Sequence, residues 1–148
     1  MIPLKDNILL HNLLISYKYK DITIEQTIEQ LINILNIESK LFTERDFKIY
    51  IIPSIIKHYK LNAELWYKKN RKHEIIKYSQ MLMYMMDVYK FGGNRSLSAI
   101  GRIVRNKDHA TVIYAKKTVQ GYLDNDVKFK EEFKEFKQYL FKIIIQWT

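Results

Sequence analysis

The sequence predicts an all-α fold, and three observations support that prediction. Only four glycines and two prolines interrupt the 148 residues, so long helices are expected. Apolar residues recur at spacings of three and four over several segments, which is the period of a helix. Hydrophobic residues make up 47% of the chain and aromatic residues 14%, enough for one packed core. This length suits one domain with an additional terminal element.

Charge is distributed unevenly along the chain. Residues 1–44 contain four lysines and six acidic residues, a balance of −2, whereas residues 45–148 contain 21 Lys or Arg and ten acidic residues, a balance of +11. We therefore divide the chain into an N-terminal helical extension, 1–44, and a basic module, 45–148. The basic excess favours nucleic acid or an anionic membrane surface as the partner.

Composition and spacing exclude several classes of protein. The chain has no cysteine, which excludes disulfides, thiolate metal sites and cysteine nucleophiles. Its four histidines lack metal-ligand spacing, and no carboxylate pair or Ser/His/Asp set stands out, so we expect no metal, no cofactor and no enzymatic activity. No signal peptide and no run of about 18 apolar residues are found. We therefore expect a cytoplasmic protein without a membrane partner.

The N-terminal extension carries one strong helix signal. Thr23 and Gln26 predict a capping box. Apolar residues follow at helical spacing: Ile24, Ile28, Leu31, Ile32 and Leu35. Two interpretations stay open, because this helix could pack on the basic module or could join two copies of the chain as a homo-oligomer.

The basic module begins with two helices and a basic loop. A helix is expected from about Thr43 to Leu61, with a kink or a fresh start that makes Pro53 the first helical residue. Asn62 is a predicted cap for a short helix, "AELWYKK". The basic loop, residues 68–72, reads "KKNRK" and has four cations in five positions.

A central helix and a C-terminal helix are expected to build the core. The segment "HEIIKYSQMLMYMMDVYKF" is apolar nearly all round from Met81 to Met86, as a buried central helix is. Its methionines are interpreted as core filling. From about Val127 a second apolar stripe covers the core: Phe129, Phe133, Phe136, Leu140 and Ile143 or Ile144.

Between these two helices, the sequence predicts a short helix, a tight break and a second helix. Ser96 or Ser98 begins the short helix, and the break is "RNK", residues 105–107. Asp108 is a predicted N-cap that accepts the amide proton of Thr111. One stripe of the second helix should face the core: Val112, Ala115, Val119 and Tyr122. The opposite face holds Ala110, Ile113, Tyr114 and Lys117.

That opposite face is less charged than an ordinary solvated face. This pattern predicts a helix-turn-helix motif, in which a short helix and a tight turn precede a second helix with such a face. The second helix would fit the major groove of B-DNA, with its N-terminal residues nearest the base edges. Its N-terminal amides would also favour a phosphate.

The segment "SLSAIGRIVRNKDHATVIYA", residues 96–115, resembles the signature of the C-terminal DNA-binding domain, domain IV, of the chromosomal replication initiator DnaA. That pattern runs roughly Ser-Leu-x-x-Ile-Gly, a few residues, then Gly-Gly-Arg-Asp-His-[Thr/Ser]-Thr-Val-[Ile/Leu]-His-Ala, and it matches without a gap. The upstream "RKHEIIKYSQMLMYMM" is also similar to the family, so the resemblance covers about residues 45–140. It implies a helical bundle with a Trp-repressor-like helix-turn-helix.

The rest of the initiator is missing from this sequence. No Gly-x-x-x-x-Gly-Lys-[Ser/Thr] motif occurs, and the chain has no room for an ATPase domain. We therefore expect no nucleotide partner, and the resemblance implies the DNA-binding domain standing alone.

The resemblance also implies which residues contact double-stranded DNA. Arg71 matches the arginine that enters the minor groove, where an arginine senses groove width. It is flanked by Lys69 and Lys72. Gln80 matches a position near the phosphate backbone. The helix-turn-helix contributes the remaining matched positions: Leu97, Ser98, Lys107, Asp108, His109, Ala110, Thr111 and Tyr114. We add the cations Arg105 and Lys117.

Departures from the family pattern predict altered or relaxed base recognition. Arg105 and Asn106 replace the glycine pair, but asparagine tolerates the left-handed conformation, so the turn survives. Lys107 replaces an arginine and loses its planar fork. Ala110 replaces a hydroxyl residue and keeps only a contact to a thymine methyl group. Tyr114 replaces a histidine.

These residues leave alternatives open. The basic loop could simply be solvated, His109 could bond its own backbone, and Asp108 could act only as a cap. Tyr114 could pack on the N-terminal extension.

The sequence thus predicts sequence-biased binding of double-stranded DNA, in replication initiation, its control or transcription. If Lys69, Arg71, Lys72, Arg105 and Lys107 each approach DNA, the log–log dependence of affinity on salt should have a slope of about −4 to −5. The alternative is a protein-interaction or structural protein that keeps the fold and buries Ile113 and Tyr114 against a partner. A weaker alternative places the C-terminal helix on a membrane surface.

Overall fold

A computed structural model provides the fold of the chain. It describes residues 23–29, 42–69 and 72–147. Within these ranges every regular element is helical and no strand occurs, which confirms the all-α prediction. Among the helices that are described, none has the length and apolar character needed to cross a membrane.

The described part of the N-terminal extension is a helical segment at residues 24–29. The predicted capping box is confirmed: the Thr23 amide donates to Gln26 Oε1 at 2.9 Å, and the Gln26 amide donates to Thr23 Oγ1 at 3.1 Å. Ile28 is buried in the common core. Glu25 lies 3.2 Å from Lys134 Nζ. This segment therefore packs on the basic module. Three residues of the predicted helix lie outside the described residues: Leu31, Ile32 and Leu35.

Helix α1 begins at Glu44, the last residue of the N-terminal extension, continues into the basic module and contains a widened turn. It comprises Glu44–Asp46, a π-helical stretch Phe47–Ile51 and a last segment Ile52–His58. Proline has no amide proton for the regular helical bond, and the π-helical stretch ends at Ile51, two residues before Pro53. The predicted fresh start at Pro53 was wrong, because Ile51 and Ile52 keep right-handed helical backbone angles and α1 continues through the proline.

Helices α2, Ala63–Trp66, and α3, His73–Val88, flank the basic loop. Asn62 caps α2 as predicted, accepting from the Glu64 amide at 3.0 Å. In α3, every residue from Met81 to Met86 is buried. This confirms α3 as the central helix and its methionines as core residues.

Helix α6, Val127–Trp147, closes the bundle. Its predicted apolar stripe is buried through Ile143, and Lys77 of α3 binds Glu132 of α6 with an N–O distance of 3.0 Å. The side chain of Ile144 lies outside the described residues.

Two further helices lie between α3 and α6 in the chain: α4, Leu97–Arg105, and α5, His109–Asn125. Both pack against α3 and against each other. Val112, Ala115 and Val119 are buried, as the sequence predicted. The prediction for Tyr122 was wrong, because its side chain is 45% exposed. Leu123, the next residue, packs against the core instead, and the Tyr122 ring lies on Phe129 with a centroid separation of 5.0 Å.

Candidate nucleic-acid interface

A tight turn joins α4 to α5. Ser96 caps α4 by accepting from the Ala99 amide at 3.1 Å. At the other end Asn106 has φ 57° and ψ 46°, which confirms the predicted left-handed residue. The Asn106 amide donates to Arg102 O at 3.1 Å, and the Lys107 amide donates to Gly101 O at 2.9 Å. These bonds fold residues 106–108 back onto α4.

Gly101 permits the close approach of this turn. A Cβ at this position would lie 2.5 Å from the carbonyl oxygen of Lys107 and 2.7 Å from that of Asp108. Both atoms belong to the backbone, so no side chain can move aside. The structure thus gives the glycine of the Ile-Gly pair in the sequence motif a role in positioning the turn that sequence reasoning missed.

Asp108 is the N-cap of α5, as predicted. Its Oδ1 accepts from the Thr111 amide at 3.1 Å and from Thr111 Oγ1 at 3.1 Å. These two hydrogen bonds hold the pKa of Asp108 below its usual value. The cap fixes where α5 starts and places His109 and Ala110 in its first turn, both exposed.

The outer side of α5 forms a continuous surface that we call the recognition face. Ile113 is 38% exposed and Tyr114 is 66% exposed, and Ala110 and Lys117 are also exposed. The face comprises five exposed residues of α5 and the half-buried Lys107 of the preceding turn. The five are His109, Ala110, Ile113, Tyr114 and Lys117.

The other positions matched in the helix-turn-helix contribute unequally to the surface. Ser98, in the first turn of α4, is exposed. Leu97 is half-buried and packs against the core, so little of its side chain is accessible to DNA. Thr111 is half-buried and bonded to the cap.

Gln80 and Tyr114 share a groove although they belong to different helices. The groove opens between α3, α5 and α6 and has a volume of about 690 Å³. Gln80 is half-buried on α3. The structure therefore brings the expected phosphate-proximal position next to the recognition face.

The basic loop is described in part. Lys69 and Lys72 are exposed. Arg71, the expected minor-groove arginine, lies outside the described residues, as does Asn70. The described lysines place positive charge on the segment between α2 and α3.

The expectation that Arg105 is a surface cation was wrong. Its side chain is only 7% exposed. The guanidinium Nε donates to Trp66 O at 2.8 Å, and Nη2 donates to Lys68 O at 3.0 Å. Burial lowers the pKa of this guanidinium, which nevertheless stays charged at neutral pH. The charge at the helix junction is therefore turned inward, toward the start of the basic loop.

Arg102, three residues earlier on α4, shows the opposite arrangement. It is exposed, and its Nη2 lies 3.1 Å from Glu44 Oε2. Lys48 lies 3.2 Å from the same carboxylate. These two cations lower the pKa of Glu44, and the pair links α4 to α1.

Two helices joined by a three-residue turn, with the outer side of the second helix exposed, form a helix-turn-helix motif, which is characteristic of a class of DNA-binding domains. Comparison with known families specifies the class further. Residues 49–119 match the family described as the bacterial DnaA protein helix-turn-helix. Residues 49–119 are therefore similar to the C-terminal helix-turn-helix of DnaA.

Individual relatives agree with the family match. Chromosomal replication initiator protein DnaA of Bacteroides thetaiotaomicron is 39% identical over 92 residues, 62% of this chain and 19% of that protein. The corresponding protein of Bacteroides fragilis is 33% identical over 109 residues, 74% of this chain and 21% of that protein. The chain thus spans about a fifth of the length of these relatives. No solved structure matches it significantly.

Proposed function

We propose that this chain binds double-stranded DNA by placing the recognition face in the major groove and the basic loop in the neighbouring minor groove. The observation that supports this proposal best is the exposed recognition face itself. Ile113 and Tyr114 are too apolar for a face that only meets solvent, whereas Lys107 and Lys117 are too basic for a face that packs on the protein's own core. An α-helix fits the major groove, and the start of α5 would enter first.

The first turn of α5 and the turn that precedes it carry the chemistry for base recognition. Ala110 can contact the methyl group of a thymine. Lys107 provides a single cationic donor without the planar fork that arginine offers to guanine. We therefore propose a sequence preference different from that of relatives with an arginine at this position.

The buried Arg105 changes the expected salt dependence. Four cations remain to approach DNA in this proposal: Lys69, Arg71, Lys72 and Lys107. Neutralising one phosphate each would give a log–log slope of about −3 to −4, less steep than five contacts would give.

The direct experiment is selection of bound sequences from random duplex DNA, followed by gel shifts of the selected sites over a range of salt concentrations. We expect an enriched motif and the slope given above. The proposal would be contradicted if no duplex DNA is recovered in the selection, or if binding does not depend on salt concentration.

For the biological role, we propose replication initiation or its control, because the similar proteins are named chromosomal replication initiators. Transcription regulation is the second possibility, since both roles need a domain that binds particular duplex sites. Footprinting at the chromosomal origin and at promoters would distinguish them.

A second function is favoured by one observation. Ile113 and Tyr114 are both exposed, and a protein partner could bury them. In that case Tyr114→Ala would weaken a protein complex and leave any DNA binding unchanged. Under the DNA-binding proposal, the same substitution changes the selected DNA motif.

We also propose residues 45–148 as the DNA-binding unit and the N-terminal helix as a possible contact between two copies. Ile24 is 42% exposed while Ile28 is buried, so one side of the helix is available. Sedimentation of the full chain and of the chain without residues 1–40 tests this. A homo-oligomer should become monomeric on truncation, with affinity for a single site retained within about tenfold.

A further inference from the structure

We propose that Arg105 is a positioning residue that holds the start of the basic loop, at Lys68 and Lys69, in a fixed place relative to α5, the recognition helix. The inference rests on the proposed two-groove binding of DNA. It assigns to Arg105 a role in setting the distance between the two DNA-contacting elements and not in contacting DNA.

The contacts of Arg105 join the end of α4 to the start of the loop. Its guanidinium donates to the carbonyl oxygens of Trp66 and Lys68 at 2.8 and 3.0 Å. A third hydrogen bond runs in the other direction, from Trp66 Nε1 to the carbonyl oxygen of Val104 at 2.7 Å. Trp66 is fully buried, so this end of the loop is anchored to the core.

The two acceptors of Arg105 are backbone carbonyls. Among the described residues, no carboxylate lies within 4.0 Å of its guanidinium. A buried cation that loses its hydrogen-bond acceptors is costly. The fold therefore favours conformations in which the carbonyl oxygens of Trp66 and Lys68 stay within hydrogen-bonding distance of the Arg105 guanidinium.

The same helix end also positions the recognition helix. Asn106 follows Arg105 directly and is the left-handed residue that turns the chain toward α5. Lys69 follows Lys68, whose carbonyl Arg105 binds. One side chain thus stands between the backbone that leads into the basic loop and the backbone that leads into the recognition face.

A fixed spacing matters because the two elements must reach neighbouring grooves at once. A loop already held in place loses less conformational freedom on binding than one that must be ordered. Without Arg105, the loop lysines keep their charge but no longer have a defined position relative to α5.

Arg102 provides a matched control. It is on the same helix and carries the same charge, but it is exposed and paired with Glu44. Arg102→Met and Arg105→Met remove the same charge, and only the second removes the bonds to the loop. Arg105→Lys keeps the charge but replaces the planar guanidinium. This variant is used if Arg105→Met does not fold.

The first measurement needs no DNA. Limited digestion with trypsin reports how often the chain after Lys68 or Lys69 becomes accessible. We expect faster cleavage at these bonds in Arg105→Met, and in Arg105→Lys to a smaller extent, while Arg102→Met is cleaved like the parent. Circular dichroism confirms that each variant is folded.

The second measurement is the effect of Lys69→Ala on DNA affinity. It is made in the parent, in Arg102→Met and in Arg105→Met. One phosphate contact corresponds to about eightfold in affinity at about 0.1 M salt. We expect that loss in the parent and in Arg102→Met, and a loss below about twofold in folded Arg105→Met.

The outcomes separate the two proposals. If Lys69→Ala costs the same in Arg105→Met as in the parent, or if trypsin cleaves both proteins at the same rate, Arg105 does not position the loop. If the parent binds no DNA at all, the proposed function fails, and the trypsin experiment still decides whether Arg105 holds the loop.

Discussion

The two faces of α5 share one helix but serve different purposes. The inner face is built from Val112, Ala115 and Val119, which are buried against the core. The outer face presents Ala110, Tyr114 and their neighbours to solvent. The difference shows that the helix is held by one side only, so the residues on the other side are free to determine what the helix binds.

The largest expected effect is on the inner face. Val112→Asp would bury a carboxylate with no partner in the apolar core, at a cost of about 4 kcal/mol or more in the free energy of unfolding. Chemical denaturation followed by circular dichroism measures it. If Val112→Asp left stability unchanged, the assignment of the two faces of α5 would be wrong.

Gly101→Ala should have an intermediate effect, because it lies under the turn that sets the direction of α5. The added Cβ would approach two backbone oxygens at 2.5 and 2.7 Å, so the turn must shift. We expect a loss of about 1–3 kcal/mol in the free energy of unfolding, typical of overpacking. Gly121→Ala is the control, since a Cβ there meets no atom within 4 Å.

The smallest expected effect is on Asp108, the N-cap of α5. Hydrogen bonds from Thr111 lower the pKa of Asp108 in the folded state, so the ionised cap stabilises the fold above the pKa of the unfolded chain. This contribution is lost as the pH falls through the lower, folded pKa.

Asp108→Ala should therefore lower Tm by a few degrees at neutral pH, and the difference from the parent should shrink in acid. Asp108→Asn caps the helix without titrating, so its difference in Tm from Asp108→Ala should not change with pH. A difference between parent and Asp108→Ala that persists unchanged down to about pH 2 would contradict this account.

Local signals in the sequence predicted much of this fold. Thr23 with Gln26, Asn62 and Asp108 were each identified as caps, and each bond spans only two or three residues. The apolar stripe of α6 and the buried run in α3 follow from helical periodicity. Such features depend on neighbours in the chain, so the sequence is enough to find them.

Features that depend on distant residues could not be predicted in the same way. Arg105 is buried because carbonyls 37 and 39 residues away accept its hydrogen bonds. Tyr122 continues the inner stripe of α5 in sequence, but the neighbouring Leu123 packs against the core in its place. Gly101 is needed because the chain returns over it six and seven residues later. Each depends on how the helices come together in three dimensions.

The central claim is that the outer face of α5 enters the DNA groove, and Ala110→Asp tests it most directly. The variant places a carboxylate on an exposed position of that face. Val127→Asp is the matched control: it makes the same charge change at a 79% exposed residue beyond the far end of α5. An aspartate at the start of α6 is also compatible with the helix dipole.

Fluorescence anisotropy with a selected duplex, at one salt concentration, would compare both variants with the parent. We predict that Ala110→Asp stays folded and loses more than about 2 kcal/mol of binding free energy, about thirtyfold in Kd, through phosphate repulsion and the lost methyl contact. Val127→Asp should stay within about threefold of the parent. Binding by Ala110→Asp equal to the parent, or equal losses in both variants, would contradict the placement of α5 in the groove.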